Sequence, residues 1–341
     1  MLQSVFSQLR KVVADPDIAI DLGTANTRLY AQGRGIIADI PSAVKVNSNK
    51  GNVEDVGKFA LPPVKNDSGS YSILPLRGGV IKDLDAATHL LTPLLYKAKR
   101  FGLIKPRVLA CAPTNATAEE REAIVEATLR AGASKVKLAP EPLAAAIGAG
   151  LDVSSPYAQM LVDIGDGVTD IAVIRSSSLI STAATPIACS DIHRAIQDMM
   201  LAHYNLSISL SEAERLTQKI GVLAAKSQLL EKVSAIDSKT GKSTITEIKT
   251  EVISQAMSPV INKIVTIICD VVRDLQIEES CEVIESGICL TGGGACLPGM
   301  SALVAKKTSL DIKLAANPMH AVINGACQML SFKTTTGFWE I

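Results

Sequence analysis

Ile18-Ala-Ile-Asp21-Leu-Gly23-Thr24-Ala-Asn26-Thr27 and Met160-Leu-Val-Asp163-Ile-Gly165-Asp166-Gly167-Val-Thr169-Asp170 read as two copies of one device. Each is an apolar run that ends in an Asp, passes at once into a Gly-containing turn, and continues as a second β-like run. Such a hairpin aims its turn amides at phosphate oxygens, while the Asp at the strand end faces a hydrated cation. Gly is needed where the backbone must approach a ligand closely. One such turn says little. Two matching turns, facing each other across a cleft, point to a nucleoside triphosphate gripped between two related domains.

The rest of the chain fits around these hairpins. Residues 1–13 carry Leu2, Val5, Phe6, Leu9, Val12 and Val13 at helical spacing and stop at Asp15-Pro16. This amphipathic helix either packs on its own domain or lies in a membrane interface. Strands and tight turns are expected over 17–46, then a Pro/Gly/Ser-rich stretch from Asn47 to Gly79. Thr117-Ala-Glu-Glu120 is a capping box opening a helix that ends at Gly132, and Glu141-Pro142 starts another. Helices are expected over 191–204 and 211–231, with a polar hairpin over 232–253 turning at Lys239-Thr-Gly241. Ser258-Pro259 reads as the start of a helix with an apolar stripe from Val260 to Leu275, and Ile284–Leu290 as a strand running into Thr291-Gly292-Gly293-Gly294. Strand and helix runs in the same order, used twice, indicate an α/β protein with an internal duplication.

Composition narrows the class. At 341 residues the chain is expected to form two or more domains. Lys+Arg and Asp+Glu both number 34, so nothing marks a nucleic-acid surface. The seven cysteines form no CxxC pair and the four histidines are scattered, which argues for buried free thiols in a reducing compartment rather than a metal site. No apolar run of membrane-spanning length and no signal peptide are read, so a cytosolic protein is expected.

These residues resemble the actin superfamily of ATPases, and within it the MreB family of bacterial actins. Asp21–Thr27 is similar to that family's first phosphate motif, and Glu141-Pro-Leu-Ala-Ala-Ala-Ile-Gly-Ala-Gly150 and Gly287-Ile-Cys-Leu-Thr-Gly-Gly-Gly294 are similar in sequence and position. So are Lys97–Arg100, Lys105–Val108 and Ala131–Val136, and the likeness runs from about residue 17 to 330 in the right order. The resemblance implies an actin-like two-lobed ATPase fold with duplicated βββαβα domains and four subdomains. Its boundaries would be 15–46, 80–153 and 318–341 for IA, 47–79 for IB, 154–195 and 255–317 for IIA, and 196–254 for IIB. It also implies ATP and Mg2+ as ligands and self-association into filaments.

Carried onto this sequence, Asp21 and Asp163 hold Mg2+ through water. Gly23, Thr24 and Asn26 in one turn, with Gly165, Asp166 and Gly167 in the other, bind the phosphates. Glu141 orients the attacking water, with Thr169 as a second candidate. Gly292, Gly293 and Gly294 leave room for adenosine, and Glu214 bonds the ribose. The sequence departs from the family pattern at Asp166 and Val168, at Ala188-Cys189-Ser190, at Thr217 and Lys219, and at Asn324-Gly325-Ala326, where glycines are fewer.

The loop Phe101-Gly-Leu103-Ile104 lies between basic residues and resembles a membrane-inserting tip. With Leu2, Phe6 and Leu9 of the terminal helix it would anchor a filament on anionic lipid at the inner membrane, where weak anchors add by avidity. Membrane proteins of cell-wall synthesis are then the expected partners, with no direct nucleic-acid contact. A MamK-type or plasmid-segregating filament that positions an organelle or DNA is the alternative, and a metabolic kinase of the same superfold a third reading.

Overall fold

The computed structural model describes residues 17–48, 51–60, 69–99, 104–222 and 229–331. The terminal helix expected over 1–13, with Leu2, Phe6 and Leu9, lies outside them, as do Phe101 and Leu103. The chain divides into two compact units, Met1–Gly148 with Val322–Ile341, and Ala149–Ala321.

In the first unit β1 (Ile18–Leu22), β2 (Asn26–Ala31) and β3 (Gly35–Pro41) run as an antiparallel meander. Three short strands, β4 (Val44–Asn47), β5 (Val53–Val56) and β6 (Ser70–Ile73), form a separate sheet, and β7 (Leu76–Arg77) pairs with β8 (Val80–Ile81). The chain then returns to the main sheet: β9 (Arg107–Ala112) lies parallel to β1, and β10 (Lys135–Pro140) parallel to β9. Alternation along β1 sends Ile18, Ile20 and Leu22 into a core shared with Leu90, Leu91 and Leu94 of the helix Leu84–Ala98. Asp21 therefore sits on the opposite face of the sheet, with Arg28 as its cross-strand neighbour.

The second unit repeats the plan. A meander of β11 (Gln159–Ile164), β12 (Thr169–Arg175) and β13 (Ser178–Thr185) is followed by a small sheet of β14 (Leu206–Ser207), β15 (Leu230–Asp237) and β16 (Ser243–Lys249). Then β17 (Ile288–Thr291) lies parallel to β11, and β18 (Ile312–Leu314) parallel to β17. The main sheets have the orders β10-β9-β1-β2-β3 and β18-β17-β11-β12-β13, one strand pattern used twice.

Three expected elements shift. The helix expected over 211–231 is Leu210–Ile220, because Gly221 closes it at φ 65°, and Leu230 and Glu231 already belong to β15. The helix assigned to start at Ser258-Pro259 begins at Thr250, with Pro259 inside it. Ile253 and Met257 extend the buried stripe of Ile261, Ile264 and Ile268 backwards, so burial outweighs the one hydrogen bond that proline removes. By length and composition alone this helix could span a membrane, yet that stripe is part of the second unit's core. The strand expected over Ile284–Leu290 is Ile288–Thr291, since Val283 and Ile284 end the helix Ile277–Ser286, which Gly287 closes at φ 75°. The capping box at Thr117 is formed as read, with Thr117 Oγ1 accepting from the Glu120 N–H and Glu120 from the Thr117 N–H. Of the seven thiols, all free, Cys111, Cys189 and Cys289 are buried, but Cys281 and Cys296 are exposed.

Candidate functional site

The two glycine turns have the same backbone geometry. The Gly23 N–H donates to the Asn26 carbonyl at 3.1 Å, and the Gly165 N–H to the Val168 carbonyl at 2.9 Å. A Cβ at Gly23 would stand 2.8 Å from the Asn26 oxygen, and one at Gly165 would stand 2.9 Å from the Val168 oxygen. No real Cβ is accommodated that closely, so glycine is what lets each strand fold back on itself.

In the first unit the turn is braced from beneath. Ser42 Oγ donates to the Gly23 carbonyl at 2.6 Å and lies 2.8 Å from Thr27 Oγ1, while the Ser42 N–H bonds the Ala25 carbonyl at 2.8 Å. Thr24 Oγ1 accepts from the Gly79 N–H at 3.0 Å, which ties the turn to the β7–β8 ribbon. Asp21 is buried and its Oδ2 accepts from Arg28 Nη1 at 3.2 Å. Glu141 opens the helix Glu141–Ala149 directly after β10, so its carboxylate lies at the positive end of that helix. Cys111 reports on both acids: burial first, then Asp21, then Glu141 push its thiol well above the ordinary range. The structure therefore brings Asp21, Gly23, Thr24, Asn26 and Glu141 together within one unit.

The second unit assembles the remainder. Its turn is held by the start of the helix Cys189–Tyr204, where the Cys189 and Ser190 N–H groups donate to the Gly165 and Asp166 carbonyls at 3.2 and 2.8 Å. Cys189 plays the reporting role here, its thiol pushed up by burial, then by Asp166, Asp163, Cys296 and Glu214. Asp163, Asp166 and Glu214 thus all act on the Cys189 thiol. Burial, then Glu214 and Asp191, push the Asp166 carboxyl up to about 6. His193 Nδ1 lies 3.9 Å from Asp166 Oδ1, but burial lowers the imidazole to about 4. At neutral pH that contact joins a carboxylate to a neutral ring and is not an ion pair.

The glycine triplet divides by role. A Cβ at Gly292, where φ is +82°, would overlap Asp163 Oδ1 and the Ile164 carbonyl, and one at Gly294 would come 2.9 Å from Ile164 Cβ and 3.0 Å from Cys189 Sγ. Both are small because β11 is pressed against them. Only Gly293 has nothing within 4 Å, so it is the glycine that leaves open space. Thr169 is fully buried and its hydroxyl donates to the Ile187 carbonyl at 2.9 Å. Gly167 completes the second turn between Asp166 and Val168.

Other positions singled out in the sequence have structural work. Thr217 is buried with its hydroxyl on the Ala213 carbonyl, and Lys219 Nζ pairs with Glu231 at 2.7 Å, joining its helix to β15. Ile104 is 55% exposed, and Arg107 turns inward to Asp17 at 3.9 Å and is not a surface charge beside it. Sequence reasoning passed over Ser42 and Arg28. Ser42 carried no signal, whereas Arg28, the one charge in the strand directly after the turn, did.

A family model described as MreB/Mbl protein matches residues 15–336. The cell shape-determining protein Mbl of Bacillus cereus is 36% identical over 319 residues, covering 92% of this chain and 95% of its own length. The cell shape-determining protein MreB of Escherichia coli is 32% identical over 322 residues, with 92% and 93% covered. Among solved structures, MreB5 of Spiroplasma citri bound to AMPPNP superposes with a TM-score of 0.85 at 26% identity, over 93% of this chain and 96% of that one. A MamK double helical filament gives a TM-score of 0.76 at 19% identity, with 93% and 99% covered, a likeness of fold. The α/β fold, duplicated and actin-like, is the fold of this chain.

Proposed function

The chain belongs to the MreB/Mbl family, and on that premise we propose that it is an ATP-binding, ATP-hydrolysing bacterial actin. Its filaments would lie on the inner face of the cell membrane and organise cell-wall synthesis and rod shape. The observation that carries the reading is the identical geometry of the two turns, each with a buried Asp at its strand end. Support for a nucleotide comes from MreB5 of Spiroplasma citri, solved with AMPPNP and with ADP.

The Gly23–Asn26 and Gly165–Gly167 amides would take the phosphates, and Gly293 and Glu214 the adenosine. Among the described residues no group of three or more His, Cys, Asp or Glu side chains could hold a metal alone. An oxygen-only set of one or two buried carboxylates completed by phosphates and water is what Mg2+ accepts, so Asp21 and Asp163 fit that ion. Bound there, Mg2+ would neutralise charge on the phosphates. Glu141, at its helix start, would align a water for in-line attack on the terminal phosphate, and Thr169 would accept a hydrogen bond from it. The division into subdomains IA, IB, IIA and IIB at the boundaries given above belongs to the same proposal.

Membrane attachment would use residues 1–13 and the 101–104 loop. Co-sedimentation with anionic liposomes, with and without Mg-ATP, tests this alongside a variant lacking residues 1–13. Pelleting that needs nucleotide, lipid and the terminal segment is expected. ATP-dependent pelleting indifferent to lipid and to that segment would move the reading to a cytosolic positioning filament of the MamK type.

A further inference from the structure

Arg28 is the one charged residue in β2, and the structure buries it: 8% of its surface is exposed. It lies on the face of the sheet that carries Asp21, across the strand pair from it, and faces Asp39 on the next strand. Nη1 donates to Asp21 Oδ2 at 3.2 Å. Nε is 3.3 Å from Asp39 Oδ1, but its N–H is not aimed there and makes no hydrogen bond. A guanidinium can present five donors, so this group has bonding capacity left beside the first turn.

The duplication supplies the contrast. Asp170 stands opposite Asp163 in the second hairpin as Arg28 stands opposite Asp21 in the first. The row across β1, β2 and β3 reads Asp, Arg, Asp, while the row across β11, β12 and β13 reads Asp, Asp, Ala. Two turns of one geometry thus differ in sign at one equivalent position. The first carries its own cation and the second adds a carboxylate.

We propose that Arg28 is a phosphate-compensating residue, a buried guanidinium that offsets the carboxylates of Asp21 and Asp39 and leaves the first turn less negative than the second. The chain is therefore expected to retain a nucleoside triphosphate with reduced dependence on a divalent cation. The inference rests on the nucleotide reading above. An arginine held between two carboxylates could serve only to strap β1, β2 and β3 together. A strap, however, would contribute equally whether or not a metal accompanies the nucleotide, whereas a compensating charge matters most when the metal is gone.

The test is binding of a fluorescent N-methylanthraniloyl ATP to the full chain, by anisotropy, in Mg2+ and in EDTA. The unsubstituted chain is expected to weaken no more than about tenfold on removal of Mg2+, and Arg28→Leu to lose at least a further tenfold or so in EDTA with a smaller loss in Mg2+. Arg28→Lys, which keeps the charge, should stay close to the unsubstituted chain in EDTA. A loss from Arg28→Leu that is equal in both buffers would overturn the proposal, as would a Lys variant that behaves like Leu. So would a hundredfold loss by the unsubstituted chain in EDTA, a result that needs no variant to fold. Failure of the unsubstituted chain to bind in either buffer would remove the nucleotide reading beneath it as well.

Discussion

Replacing Gly325 with Ala should destabilise the protein although alanine is the better helix former. Gly325 lies within the helix Ala321–Met329, where the propensity gain alone is worth about 1 kcal/mol. Against it stands the helix Glu141–Ala149. A Cβ at Gly325 would overlap the Ala144 carbonyl oxygen and come 2.6 Å from the carbonyl carbon and 2.8 Å from the Gly148 nitrogen. All three are backbone atoms, so no side chain can swing aside and the helices must part. Val322, Ile323, Ala326 and Met329 are buried in the same helix and would lose contact as they do. Overpacking of this kind costs about 1–3 kcal/mol and lies at the upper end where backbone must move, so with the propensity gain deducted a net loss of about 2 kcal/mol is expected. Urea unfolding of the full chain measures it, and nucleotide affinity measured beside it should fall, because Glu141 begins the displaced helix. A variant as stable as the parent, or more stable, would refute the packing argument.

Three further outcomes follow from the site. Gly292→Ala should abolish or severely weaken nucleotide binding by colliding with Asp163 and Ile164, whereas Gly293→Ala, facing open space, should leave stability within about 0.5 kcal/mol; equal effects on binding and unfolding would contradict the division of roles. The Asp166 carboxyl, raised to about 6 from 3.8, contributes stability that is fully present below about pH 3.8 and lost as pH rises through 6. Asp166→Asn should therefore stabilise the chain at pH 7.5 by roughly 1–3 kcal/mol and gain nothing at pH 4, as read by urea unfolding at the two values. His193, lowered to about 4, acts oppositely, its contribution present above 6.5 and lost as pH falls toward 4, so the comparison is made against His193→Asn in the same series. Finally, Thr117→Ala removes the side-chain half of the capping box and should cost about 1 kcal/mol without altering nucleotide affinity.

What could be read from the residues was local. Each hairpin announces itself because an apolar run, an Asp and a Gly turn are neighbours in sequence, and the Thr117–Glu120 box because its partners are one turn apart. Punctuation misled where tertiary packing overruled it. Pro259 reads as a helix start, but the stripe from Ile253 to Ile268 buries through it. Val283 and Ile284 look like strand residues, yet the acids Glu278 and Glu279 in the first turn and Gly287 at the end were the stronger helix signals. The support of the site was hidden for a different reason. Ser42 under the first turn, Cys189 between Asp163 and Glu214, and Ala144 against Gly325 meet their partners only after distant segments are brought together.

Whether both turns take part in the proposed nucleotide binding is decided by calorimetric titration of the full chain with a non-hydrolysable ATP analogue and Mg2+. Gly23→Ala and Gly165→Ala are titrated beside it, each placing a Cβ against its own turn, at 2.8 Å from the Asn26 oxygen and 2.9 Å from the Val168 oxygen. One nucleotide per chain is expected, with a loss of about tenfold or more from either substitution. Two nucleotides per chain, or full affinity with either turn obstructed, would contradict that expectation.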